Sequence, residues 1–133
     1  MISLQNKNVL ITGGSRGIGK ACVELFLNAG ANVAFTFQSR KAEADKLISD
    51  YKGTSELKSY SVNLADSGEI EKVISNILKD FRRIDILVNN SGIARFGAVL
   101  DMNETLEDWY DVINVNLNGP FIMSYLVGKH MKE

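Results

Sequence analysis

The chain has 133 residues, 45% hydrophobic and 23% charged, with a formal net charge of −1. That is the size and balance of one soluble globular domain, and it argues against nucleic-acid or anionic-membrane partners, which select a basic surface. With one cysteine (Cys22) and one histidine (His130), an internal disulfide and a cysteine- or histidine-built metal site are excluded, so no metal is expected.

No apolar run approaches the ~18 residues of a membrane span. The opening residues lack a secretory signal pattern, which makes the cytoplasm the default expectation. With one proline and no Ser/Gly-rich linker, residues 1–133 are expected to form a single domain.

In chain order, Asn8 to Thr12 is a short apolar run ending in glycines, the pattern of a buried strand. Ile18, Ala21, Cys22, Leu25, Phe26 and Ala29 then recur at helical spacing, predicting one packed helix face, with Gly30 as the stop. Asn32 to Phe37 predicts a second strand. Ala44, Leu47, Ile48 and Tyr51 mark a second helix that ends near Gly53.

Leu57 to Val62 predicts a third, weaker strand. Asp66 with Glu69 three residues on fits a capping box, followed by the stripe Ile70, Val73, Ile74, Ile77, Leu78 and Phe81. Ile84 to Val88 predicts a fourth strand. A last helical stretch from about Asn103 or Thr105 carries Leu106, Trp109, Tyr110, Ile113, Leu117, Phe121 and Tyr125, apolar over much of its circumference. Short apolar strands alternating with helices predict an α/β class, a parallel doubly wound sheet of the Rossmann type with helices on both faces. Ligands then belong at the carboxyl ends of the strands, near the switch point.

The first strand runs into Thr12-Gly13-Gly14-Ser15-Arg16-Gly17-Ile18-Gly19 and then the first helix. A diphosphate needs backbone N–H donors with no Cβ in the way, and a glycine turn feeding a helix N-terminus supplies them. Gly14 to Lys20 also reads G-x-x-x-x-G-K, but Ala21 stands where a triphosphate-binding loop needs a Ser or Thr for Mg²⁺, so nucleotide hydrolysis is disfavoured.

Three segments resemble the short-chain dehydrogenase/reductase family: the Thr-Gly-x-x-x-Gly-x-Gly loop at Gly13, Gly17 and Gly19, Asn89-Asn90-Ser91-Gly92 after the fourth strand, and Val115-Asn116-Leu117. The second is similar to the family's Asn-Asn-Ala-Gly element with serine for alanine. The resemblance covers the N-terminal half of the family's fold and is nearest to its acyl-carrier reductase branch. It implies cofactor contacts from Gly13, Gly14, Ser15, Arg16, Gly17, Ile18, Gly19, Gln38, Arg40, Asn63, Leu64, Asn90 and Gly92. Asn63 and Leu64 belong beside the adenine, Asn90 reaches the cofactor, and Asn89 braces the sheet.

NAD-binding domains of this type place an acid at the end of the second strand. Thr36-Phe37-Gln38-Ser39-Arg40 has none; with Arg16 and Arg40 nearby, that favours the extra phosphate of NADP(H). The family reduces carbonyls with a tyrosine, a lysine, a serine and an asparagine. Of these only the asparagine is assigned, as Asn116, which in the family holds the lysine through water. Tyr125 and Lys129 have Tyr-x-x-x-Lys spacing but follow Asn116 too closely, and read as a core aromatic and a surface lysine.

The implied activity is NADPH-dependent reduction of a carbonyl, with a 3-oxoacyl thioester as the leading substrate. The 133 residues alone are expected to bind cofactor without turnover. An NADP(H)-sensing module, or a sugar, alcohol or steroid dehydrogenase, are the alternatives. The fourth strand is expected at a sheet edge and the last helix without packing partners. The chain is therefore expected either to be part of a longer protein or to self-associate, and the resemblance implies a homo-oligomer through that helix.

Overall fold

A computed structural model describes residues 2–101 and 106–133. Four strands, β1 (Asn8–Ile11), β2 (Asn32–Phe37), β3 (Leu57–Ser61) and β4 (Ile86–Val88), form one parallel sheet in the order β3-β2-β1-β4. The helices are α1 (Gly17–Asn28), α2 (Lys41–Asp50), α3 (Ser67–Phe81), α4 (Glu107–Ile113) and α5 (Gly119–Lys132). A 3-10 turn at Val99–Asp101 precedes α4, and a π-helical turn, Asn114–Asn118, joins α4 to α5. The expected start of the last helical stretch, at Asn103 or Thr105, lies outside the described residues.

The sheet is covered on both faces, as its apolar strands require. Leu10 and Ala34 point to one side, where Ile70, Val73, Ile77 and Phe81 of α3 meet Met123 and Val127 of α5. Val9, Ile11, Val33 and Phe35 point to the other, against Val23 and Leu27 of α1 and Ala44 and Leu47 of α2. Strand β4 is an edge, as the sequence implied, and β3 is the opposite one.

Helix α1 departs from its expected face. Ile18 and Leu25 are 76% and 68% exposed, and the buried line is Gly19, Val23 and Leu27, flanked by the half-buried Cys22 and Phe26. Two stripes were compatible with the spacing. Gly19 decides between them: a Cβ there would stand 1.9 Å from the Gly13 carbonyl oxygen, so this side of the helix lies hard against the loop and turns its line inward.

The outer face of α4 and α5 is bare. Trp109, Tyr110, Leu117, Phe121 and Tyr125 are all more than half exposed. Tyr125 is therefore no core aromatic, while Val115, Gly119, Met123 and Val127 face inward. At the amino end of the sheet, side-chain amides cross the strands. Asn8 Nδ2 donates to the carbonyls of Phe81 and Arg83, Asn32 Nδ2 donates to Asn8 Oδ1, and Asn32 Oδ1 accepts from the Glu56 N–H.

Candidate functional site

At the carboxyl ends of β1, β2 and β4 a cleft of about 520 Å³ opens between the glycine loop, the ends of β2 and β3, and the segment after β4. Its shape begins with Thr12, buried at the end of β1. The Thr12 Oγ1 accepts the N–H groups of both Asn90 and Ser91, each at 3.0 Å, which fixes the β4 segment to the loop. Across the loop, Gly14 N–H donates to the Thr36 carbonyl at 3.0 Å and Gly13 N–H to Thr36 Oγ1 at 3.3 Å.

Three glycines have separate reasons. Gly13 turns the chain at φ +67° and Gly17 at φ +54°, a region that side chains disfavour. No atom lies within 4 Å of where a Gly17 Cβ would stand, so this residue faces open space at the start of α1. Gly19 permits the helix–loop contact described above.

The first turn of α1 carries no side-chain cap and no acid. Its leading N–H groups point along the helix axis with the positive end of the dipole behind them, which suits an anion.

Of the residues expected at the cofactor, Gly13, Ser15, Arg16, Gly17, Ile18, Gly19, Gln38, Arg40, Leu64, Asn90 and Gly92 line the cleft. Gly14 and Asn63 do not. A Cβ at Gly14 would meet the Phe35 ring at 2.8 Å, so its role is to let the loop lie on β2. Asn63 turns back on its own chain, its Oδ1 accepting from the Ala65 N–H and its N–H donating to Glu69 Oε2.

Of the two asparagines after β4, Asn90 lines the cleft and Asn89 does not. Asn90 Nδ2 donates to the carbonyls of Thr12 and Gly13, each at 3.1 Å, which leaves its Oδ1 for a ligand. Asn89 reaches the last helix instead, its Nδ2 donating to Ser124 Oγ at 2.9 Å.

Asn116 does not line the cleft, although its neighbour Val115 does. Its side-chain amide closes a ring with the main chain of Ile93: Oδ1 accepts from the Ile93 N–H and Nδ2 donates to the Ile93 carbonyl, both at 2.8 Å. This pins the segment after β4 to the π-helical turn. Tyr125 and Lys129 stay outside the cleft.

At the rim, Arg40 Nη1 lies 3.1 Å from Glu43 Oε1. The Glu43 carboxyl is held below the usual carboxylate range by its own backbone N–H, then by Arg40, with a smaller part from Arg16. The Arg16 guanidinium forms no hydrogen bond or salt bridge among the described residues, while its main-chain carbonyl accepts the Lys20 N–H at 3.1 Å. Missed by the sequence reading were Thr36, Phe37, Ser39, Val62, Ser91, Ile93 and Val115, which complete the lining. The one available signal was Ser91, where the chain departs from the Asn-Asn-Ala-Gly pattern.

Taken together, the open first turn of α1, the free space beyond Gly17 and the long cleft fit a dinucleotide's diphosphate and its two nucleosides. Comparison with known proteins agrees. The sequence profile described as short chain dehydrogenase matches residues 7–133. The 3-oxoacyl-(acyl-carrier-protein) reductase of Salmonella typhimurium is 39% identical over 132 residues, 99% of this chain and 52% of that protein. A sorbose reductase of Candida albicans is 36% identical over 134 residues, 100% of this chain and 47% of that protein.

Among solved structures, a short chain dehydrogenase from Burkholderia cenocepacia in complex with NADP superimposes with a TM-score of 0.84 at 30% identity, covering 96% of this chain and 52% of that one. The chain spans about half the length of the relatives it matches.

Proposed function

This chain belongs to the short chain dehydrogenase family, and on that premise we propose that it is the dinucleotide-binding half of an oxidoreductase that reduces a carbonyl with NADPH. The observation that carries the choice of cofactor is the pairing of Arg16, at the lip of the uncapped α1, with the absence of an acid in the Gln38-Ser39-Arg40 segment. A carboxylate there would bind a ribose hydroxyl and repel a phosphate; a guanidinium does the reverse.

When bound, NADPH supplies the hydride. The α1 amides hold its diphosphate, Arg16 takes the 2′-phosphate, and Val62 and Leu64 flank the base. Arg40 contributes less, because Glu43 already shares its charge. Asn116 is a positioning residue, acting through the Ile93 segment it fixes. By themselves these residues bind cofactor without turnover.

A 3-oxoacyl thioester is the leading substrate, supported by the Salmonella reductase. A sugar carbonyl is the second reading, supported by the Candida sorbose reductase.

Nicotinamide fluorescence titration tests the cofactor. NADPH is expected to bind at least ~10-fold tighter than NADH, and Arg16→Ala to remove about tenfold of NADPH affinity with little change for NADH, the size of a hydrogen bond between charged groups. Equal affinities, or no binding by a folded chain, sink the reading. The bare α4–α5 face supports self-association. A sharp monomer of 14.7 kDa on size exclusion at micromolar concentration would refute that part.

A further inference from the structure

Ser91 stands where the cleft crosses from one side of β1 to the other. Its main chain is fixed by the 3.0 Å bond from its N–H to Thr12 Oγ1, and the residue lines the cleft between Asn90 and Gly92. The hydroxyl sits directly over the first turn of the glycine loop, 2.7 Å from where a Gly13 Cβ would be. Among the described residues this hydroxyl has no hydrogen-bond partner, although the backbone and amide groups around it do. A hydroxyl on a cleft-lining residue that no protein group engages is open to a ligand.

Which part of the ligand it meets follows from the strand order. Arg16, Gln38, Arg40 and Leu64 lie toward β2 and β3, on one side of β1, whereas Ser91 follows β4 on the other. The α1 N-terminus and its diphosphate site lie between. Resting on the cofactor reading above, we propose that the Ser91 hydroxyl donates a hydrogen bond to the nicotinamide-side sugar–phosphate of the bound dinucleotide, and so grips the half of the cofactor that carries the hydride. An alanine at this position lacks the donor.

Two probes separate the halves: NADPH, and adenosine 2′,5′-bisphosphate, which keeps the adenine side and lacks the nicotinamide ribose. With the full chain, Ser91→Ala is expected to weaken NADPH about fivefold, the range of one hydrogen bond, and NADH by the same factor. Adenosine 2′,5′-bisphosphate should bind unchanged. Ser91→Ala removes one oxygen, and an unchanged melting temperature confirms that the loop is intact. Ser91→Gly, lacking the same donor, should give the same pattern.

An unaltered NADPH affinity overturns the proposal, and so does an equal loss for both probes, which would mean a general disturbance of the loop. If the unsubstituted chain binds neither probe, the NADPH reading itself has failed, and this inference falls with it.

Discussion

Helices α1 and α3 each follow a parallel strand and each begin at the carboxyl end of the sheet, yet they finish their first turns in opposite ways. At α3 the Asp66 side chain accepts the Glu69 N–H at 3.0 Å, Glu69 in turn accepts the Asn63 N–H at 2.7 Å, and Asn63 closes on Ala65. That terminus is capped from within, through the Glu69 N–H, and acids sit on the positive end of the dipole. At α1 the cap position is Arg16, no side chain bonds the first turn, and no acid stands in it. The same backbone physics is saturated by the chain in one place and left for an outside anion in the other. A helix terminus is read by what its neighbours leave undone.

The largest test of that contrast acts on α1. Gly19→Ala places a methyl 1.9 Å from the Gly13 carbonyl, a backbone atom that cannot swing away. It is expected to cost about 3 kcal/mol of stability, at the upper end for overpacking, and to abolish NADPH binding.

Gly17→Ala is its partner experiment. The new methyl meets no protein atom, so the fold should lose only the ~1 kcal/mol of a strained φ, while NADPH affinity drops steeply because the methyl fills the ligand's space. Thermal melts beside fluorescence titrations separate the two. If Gly17→Ala bound NADPH normally, the α1 terminus would not be the anion site.

The smaller test acts on α3. Asp66→Ala removes a cap and is expected to destabilise the chain by about 1 kcal/mol, measured by urea unfolding, with no change in cofactor affinity. A shift in NADPH affinity would break the claim that this terminus is closed to ligands.

Most of the architecture was legible because strong local signals agreed with their surroundings. Strand β2 matches its apolar run residue for residue, and α3 buries five of its six predicted stripe positions, with Asp66 capping as expected. Helix α1 was harder: its small and apolar residues allow two stripes, and only the approach of Gly19 to the Gly13 carbonyl, six residues back in the loop, chooses one.

In the site, the glycine loop was readable because phosphate recognition by backbone demands glycine at fixed spacing. Thr36, Val115 and Ile93 were not, since they line the cleft only once distant strands and the π-helical turn meet. Asn90 and Asn116 illustrate a further limit. Sequence names an amide but not its partner, and both of these spend donors on backbone carbonyls.

The amide relay through Asn8 and Asn32 lies at the other end of the sheet from the cleft. A parallel strand that slips by one residue turns every side chain to the wrong layer, and here that alignment is clamped remotely from where ligands bind. The loops at the working end are thus free to vary in length and chemistry without dragging the strands out of step. One such frame can host many different pockets, because the frame keeps its own alignment from below.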